Sequence, residues 1–221
     1  MVASKAYHLP PTASIPNNPN ALIHYPGFLA KQSPNEAATN AYDLFDSNGW
    51  ETHWIYRYGP NQRSHYHSGA HECMVILSGS ATIRFGVADL FDNVDQDIEV
   101  ARKEPGGIEV HAEAGDVFVL PAGVAHKTHD TVPRAEFALL TPGEGHGIEA
   151  EDRRKALEDI DFDGFTMMGA YPTGADWDFA VGEAVAQEHP PKSWQVPNPS
   201  RDPVLGTAPE GICGQWKQSA S

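Results

Sequence analysis

The chain has 221 residues, 40% of them hydrophobic, and sets 15 Lys and Arg against 30 Asp and Glu for a formal charge of -15. A field of that sign repels phosphate backbones and anionic membrane surfaces, so neither nucleic acid nor a membrane is an expected partner. The longest apolar stretch, Val117 to Ala125, is broken by Pro121 and Gly123 and falls far short of the roughly 18 residues of a membrane span.

Met1 to Pro11 holds no apolar run ending in small residues, so no secretory signal is read there and a cytoplasmic location is expected. Cys73 and Cys213 are the only cysteines, too few for a disulfide framework and in keeping with a reducing compartment. Cys73 reads as a buried strand thiol rather than a ligand. The length predicts one domain over 1–221, with an N-terminal arm and helix (1–49), a barrel core (50–172) and a C-terminal extension (173–221).

Six prolines in the first 34 residues predict an extended arm that wraps the domain or a neighbouring subunit, because Pro lacks the donor a central element needs. Ser33-Pro34-Asn35-Glu36 supplies a cap hydroxyl, Pro at the first helical position and a Glu three residues after the cap, so a helix of about three turns starts there. Gly49 stops it. From Trp50 the texture changes to short β-branched and aromatic runs between Gly, Pro, Asn and Asp, the pattern of an all-β barrel or sandwich.

Strands are predicted over 52–58, 64–67, 71–77, 81–87, 98–102, 107–112, 116–120, 127–131, 135–141 and 165–170. Several are apolar on both faces: Met74 and Ile76 alternate with Val75 and Leu77, and Val117 and Val119 with Phe118 and Leu120. Such strands need an inner core and an outer cover, supplied by the arm, the helix or a second subunit. The acidic residues Asp89, Asp92, Asp95, Asp97 and Glu99 lack the spacing of a calcium loop and read as a solvated extension. Residues 150–160 predict a short charged helix with Leu157 and Ile160 inward, inserted before the final strand.

Two spaced motifs carry the chemistry. Gly59, His65, His67, Glu72 and Gly79 follow G-x5-H-x-H-x4-E-x6-G, and Gly115, Pro121, Gly123 and His126 follow G-x5-P-x-G-x2-H. Alternation along a strand turns His65 and His67 inward together and Tyr66 away. Strand pairing sets Glu72 opposite them, and the turn at Pro121-Ala122-Gly123 returns His126 to the same point. Three imidazoles and a carboxylate suit one divalent ion, with Fe(II) preferred to Mn(II), Ni(II), Co(II) or Zn(II), and an octahedral ion so held keeps two positions open.

His71 adjoins Glu72 but alternation sends it to the opposite face; His129 and His111 are weaker candidates. Arg57, Arg63, Tyr56 and Tyr58 lie near the strand that leads to the ligands. Arg63, Tyr56 and His71 are the catalytic candidates, as substrate-orienting or proton-transferring groups.

These are the two cupin motifs, and the sequence further resembles the YjlB-type cupins. The resemblance is carried by Ser14-Ile15-Pro16-Asn17-Asn18, His65-Tyr66-His67-Ser68 with His71-Glu72, 114–116 through Pro121-Ala122-Gly123-Val124-Ala125-His126-Lys127, Gly169-Ala170-Tyr171-Pro172 and Asp202-Pro203-Val204-Leu205-Gly206. It implies a double-stranded β-helix, the cupin jelly-roll barrel, with the metal on His65, His67, Glu72 and His126. It also implies a homodimer joined by exchange of N-terminal strands, which would account for the arm. One departure is Asp130, where the second motif often ends in Asn; another is the long acidic insertion.

The expected function is metal-dependent chemistry on a small organic molecule, foremost an Fe(II)-type oxygenase acting on a chelating phenolic, enolic or keto-acid compound. A non-redox decarboxylase or isomerase, and a small-molecule binding cupin without turnover, are the alternatives.

Overall fold

The computed structural model describes residues 3–89, 104–182 and 190–216. Among these residues ten strands form two sheets: β1 (Lys5–Tyr7), β2 (Leu22–Tyr25), β3 (Trp50–Arg57), β4 (Glu72–Ser78), β5 (Ser80–Phe85), β6 (Ile108–Glu113), β7 (Val117–Leu120), β8 (His126–Val132), β9 (Ala138–Leu139) and β10 (Thr166–Pro172). The larger sheet runs β1-β2-β7-β4-β10-β3-β9 and the smaller β6-β5-β8. All pairings are antiparallel. The expected strand over 98–102 and the acidic residues Asp92, Asp95, Asp97 and Glu99 lie outside the described residues, while Asp89 is engaged by Arg84 and Lys127.

Alternation divides the core into two layers. Leu22, Trp54, Met74, Ile76, Ile83, Phe85, Phe118 and Met167 point between the sheets. Ile23, Ile55, Cys73, Val75, Val119 and Met168 point the other way, onto helix α1 (Pro34–Ser47) and its neighbours. Cys73 is a fully buried thiol of this outer layer. The predicted cover therefore comes from the chain itself: Ala37, Ala38, Ala41 and Phe45 of α1, Leu157 of α2 (Arg153–Glu158), and Ile212 with Trp216 around α3 (Ile212–Gln215).

Helix α1 begins as expected, with Ser33 and Glu36 capping each other's backbone N–H and Pro34 leading the first turn. Such a cap contributes about 1 kcal/mol. Helix α2 is more than a surface insertion: the Asn35 amide donates to the carbonyls of Leu157, Glu158 and Ile160, and Leu157 is fully buried.

The N-terminal arm completes the chain's own sheet, since β2 pairs with β7 and β1 with β2. Its pegs are residues of the motifs. Asp116 accepts the Gly27 N–H at 2.7 Å and lies 3.3 Å from His24 Nε2; Asn17 donates to the Pro10 and Gly86 carbonyls and Asn18 to Ala122. The C-terminal extension is pegged by Asp202, fully buried, which accepts the Tyr25 hydroxyl at 2.6 Å and the backbone N–H groups of Val204, Leu205 and Ile212.

Candidate metal centre

Residues 64–67 form no continuous strand; His65 and Tyr66 make single bridges, to His126 and Ala180. The inward turn of His65 survives because its bridge is a full hydrogen-bonded pair, with His65 N to His126 O at 3.1 Å and His126 N to His65 O at 2.8 Å. That pair places the two imidazoles side by side, their centroids 4.2 Å apart. The returning turn is tied to the first motif by Gly123 N donating to His67 O. Position 123 requires glycine: φ is +88°, and a Cβ would stand 2.7 Å from the Asn17 carbonyl oxygen.

One ring nitrogen from each of His65, His67 and His126 lies within 4.8 Å of the others. Glu72 flanks the three, with Oε1 3.3 Å from His67 Nε2 and Oε2 3.4 Å from His126 Nε2. Each imidazole turns its Nδ1 to a backbone carbonyl: His65 to Arg63, His67 to Asp178 and His126 to Val124. With Nδ1–H donated outward, Nε2 is left as a lone pair facing inward, the tautomer a metal ligand needs.

His67 Nε2 and Glu72 Oε2 are buried without a hydrogen-bond partner, a cost of some kcal/mol that a shared cation removes. Neutral imidazoles with one carboxylate match a divalent transition ion in donor chemistry. The residues present therefore fit such an ion.

Burial sets the electrostatics. It pushes the His65 imidazole well down, helped by His126 and His67, and pushes His126 down as well. Burial also pulls on His67, but adjacent Glu72 outweighs it and the net direction is up. For Glu72 burial alone would raise the carboxyl; the facing His67 and His126, with the hydrogen bond from Tyr171, bring it down to about 2. The acid is thus ionised at neutral pH.

Tyr171, not foreseen as a site residue, donates its hydroxyl to Glu72 Oε1 at 2.6 Å and accepts Trp54 Nε1–H at 3.1 Å. The Trp54 ring lies flat against Gly169, where a Cβ would come within 2.1 Å of it. Only glycine fits there, and this close approach lets the indole reach Tyr171.

A cavity of about 180 Å³ opens above the cluster. Its walls are Trp54, Tyr56, Tyr58, Phe137, Trp177 and Phe179, with Gln62 as a further polar group; among the described residues that line it there is no Lys or Arg. Phe137 stacks on Tyr56, and Phe179 stacks on His65 with centroids 3.9 Å apart. Trp177 and Phe179 come from the segment after β10, which carried no strand or motif signal.

The candidates read from sequence divide accordingly. Tyr56 and Tyr58 face the cavity. Arg63 is exposed, and its carbonyl meets His65 Nδ1 at the centre. Arg57 turns outward to Asp163 and the Glu136 carbonyl. His71 is buried on the far side, its Nδ1 accepting Ala122 N–H at 3.0 Å and its ring against Trp216; burial pushes it down to about 4. His111 is exposed beside Glu113, and His129 pairs with Asp130. Asp130 has φ +54°, a left-handed conformation that Asn and Asp tolerate best, so the departure from Asn keeps the backbone role while the carboxylate turns to His129.

Two antiparallel sheets, two spaced motifs and a buried cluster at the floor of the cavity between them define a metal-binding cupin. A family model described as Cupin matches residues 62–157. The chain is 25% identical over 205 residues, 92% of its own length and 91% of the relative's, to the uncharacterized protein YjlB of Bacillus subtilis (strain 168). The chain therefore carries a cupin domain and, over most of its length, is similar to the YjlB-type cupins. Similar solved structures include the Lactobacillus farciminis oxalate decarboxylase formate complex (10% identity, 80% of this chain and 33% of that one, TM-score 0.28). Procruciferin, the 11S globulin of Brassica napus, is another (10%, 60% and 21%, TM-score 0.28). The chain thus spans a third or less of the length of these two. Among the described residues no helix is long and apolar enough to cross a membrane.

Proposed function

We propose that His65, His67, Glu72 and His126 together hold one divalent ion, with Fe(II) preferred, and that the protein is an oxygenase for a small neutral ring compound. The observation that carries this reading is the inward Nε2 set at the floor of an aromatic cavity. Iron held by these four residues would supply activation of dioxygen beside a chelating substrate. The remaining work belongs to the chain. Tyr171 orients Glu72; Trp54 and Trp177 keep the floor dry; Tyr56 and Tyr58, whose hydroxyls burial holds protonated, offer hydrogen bonds to a phenol or enol.

The cavity volume of about 180 Å³ compares with about 150 Å³ for a cavity that accepts benzene, which favours a single ring. The aromatic lining supports a planar neutral molecule over a small dianion, for which a guanidinium or ammonium would be needed.

Oxygen uptake that depends on added Fe(II), screened over monocyclic phenolic and enolic compounds, is the expected result. Turnover of such a compound without oxygen by the Mn(II)- or Zn(II)-loaded protein would instead support the decarboxylase or isomerase reading. Tight retention of a ligand without product would support the binding reading. We further propose a homodimer in the cytoplasm: among the described residues β1 is an edge strand, whose outer ladder a second copy could pair with. A sedimentation mass of one chain, 24.0 kDa, would overturn the dimer.

A further inference from the structure

The pairing of β3 with β10 slips by one residue: Gly169 faces Trp54 and Ala170 faces Thr52, so His53 between them faces nothing on β10. A bulge of this kind re-aims a side chain. His53 is 5% exposed, and its Nδ1 is buried without a hydrogen-bond partner. Two further donors meet it from different segments. His146 follows β9 and Asp176 follows β10, and they are joined by a 2.6 Å contact between Nδ1 and Oδ1. One donor atom from each of His53, His146 and Asp176 lies within 4.8 Å of the other two.

None of the three belongs to the centre described above, and two aromatic rings stand between. His53 packs on Tyr171 at 4.8 Å, and His146 stacks on Trp177 at 4.3 Å and 4°. Trp177 in turn meets His67 edge to face, with ring centroids 5.6 Å apart.

We propose that His53, His146 and Asp176 form a second divalent-cation site, of zinc type, that fastens the 173–180 segment to the barrel. Two imidazoles and one carboxylate are a three-ligand zinc set that leaves a position for water. Bonds of 2.0–2.1 Å in a tetrahedron put donor atoms roughly 3.3 Å apart. The donor atoms, all within 4.8 Å of one another, close by at most about 1.5 Å to meet that while the 2.6 Å pair opens, and His146 and Asp176 are exposed and lie outside the strands, where such a shift is cheap.

The fastened segment matters to the first centre. Asp178 receives His67 Nδ1 on its carbonyl and the Ser68 N–H and hydroxyl on its carboxylate, and Ala180 pairs with Tyr66 in both directions. A cation at Asp176 therefore fixes the strip that orients His67 and carries Trp177 and Phe179 to the cavity wall.

The test is zinc stoichiometry on the full chain, stripped with chelator, reloaded with Zn(II), desalted and read by elemental analysis. The wild type should retain two equivalents, His146→Ala and Asp176→Asn one each, and the His126→Ala/Asp176→Asn double variant none. Zn(II) retained at wild-type level by both His146→Ala and Asp176→Asn overturns the site. A wild type with one equivalent that His126→Ala keeps and Asp176→Asn loses would uphold this site while sinking the motif centre, so the two readings fail separately. Because both substituted side chains are exposed, the metal-free variants should melt with the wild type. A second readout is quenching of indole fluorescence by Co(II) in the His126→Ala background: it should saturate, and Trp177→Phe should remove most of it. Quenching indifferent to Trp177 counts against the site.

Discussion

Tyr171 shows how one hydroxyl can serve structure and site at once. Its proton goes to Glu72 and its lone pair takes the Trp54 indole N–H, all three groups being buried. Tyr171→Phe should weaken metal binding by about 10- to 100-fold, the usual effect of removing a group that orients a ligand. It should also cost about 1–3 kcal/mol of stability, because the indole N–H loses its acceptor inside the protein. Competition against a chelating dye reads the first and thermal unfolding the second; an unchanged affinity would argue that Glu72 is no ligand. The inward face of Tyr171 was not read from the sequence, because the expected strand stopped at 170 whereas β10 runs on to Pro172 and aligns Tyr171 with Met167 and Gly169. Nor was its contact with Glu72, because that depends on the register of β10 against β4, where Ala170 meets Cys73 across nearly a hundred residues of chain.

At the scale of elements, period-two alternation and one glycine turn were enough to expect His65, His67 and His126 together, and a ring nitrogen of each lies within 4.8 Å of the others with Glu72 beside them. The same reasoning made a strand of 64–67, where the molecule uses two isolated bridges, and it extended β9 over 135–141. There the formal strand is two residues long, although Leu140 N and Thr141 Oγ1 carry the pairing with Ile55 onward. Trp177 and Phe179 were not legible at all, since a segment without periodicity gives no clue to which wall it supplies.

Two pegs of the elements can be tested. Asp202→Ala strands the Tyr25 hydroxyl and three N–H groups. Three of these groups, the Tyr25 hydroxyl and the N–H of Val204 and Ile212, are fully buried, and at about 1 kcal/mol or more for each left unpaired the loss should be at least ~3 kcal/mol, or roughly 6–12 °C in melting temperature for a chain of this size. A shift under about 2 °C would mean that the extension is not held by this carboxylate. Asp116 gives a pH dependence. Burial acts to raise its carboxyl, but the adjacent His24 imidazole and the backbone N–H groups of Gly27 and Glu113 win and hold it below its usual range. A depressed carboxylate stabilises the fold above its unfolded pKa of about 3.9 and loses that contribution as pH falls through the lower folded value. Between pH 5 and 2 the melting temperature of the wild type should therefore fall more steeply than that of Asp116→Asn, and parallel curves would remove Asp116 as the arm's acid-sensitive anchor.

For the whole molecule, the two-faced strands demanded a cover, and the sequence left open whether it came from this chain or another. The structure draws it from both ends of the same chain, through α1 and the residues around α3. The elements far apart in sequence thereby share one outer layer with the strand that carries Glu72, and the other face of that strand looks onto the cluster. Metal occupancy and global stability are then linked. An ion that binds only the folded chain stabilises it by about 2.7 kcal/mol at 100 times its dissociation constant, which for this length is roughly 5–11 °C. His126→Ala should melt near the metal-free wild type, because the apolar layers are untouched, and at metal concentrations that saturate only the motif centre it should show no such rise. A metal-induced rise that persists in full in both His126→Ala and the His126→Ala/Asp176→Asn double variant would place the stabilising ion outside both clusters.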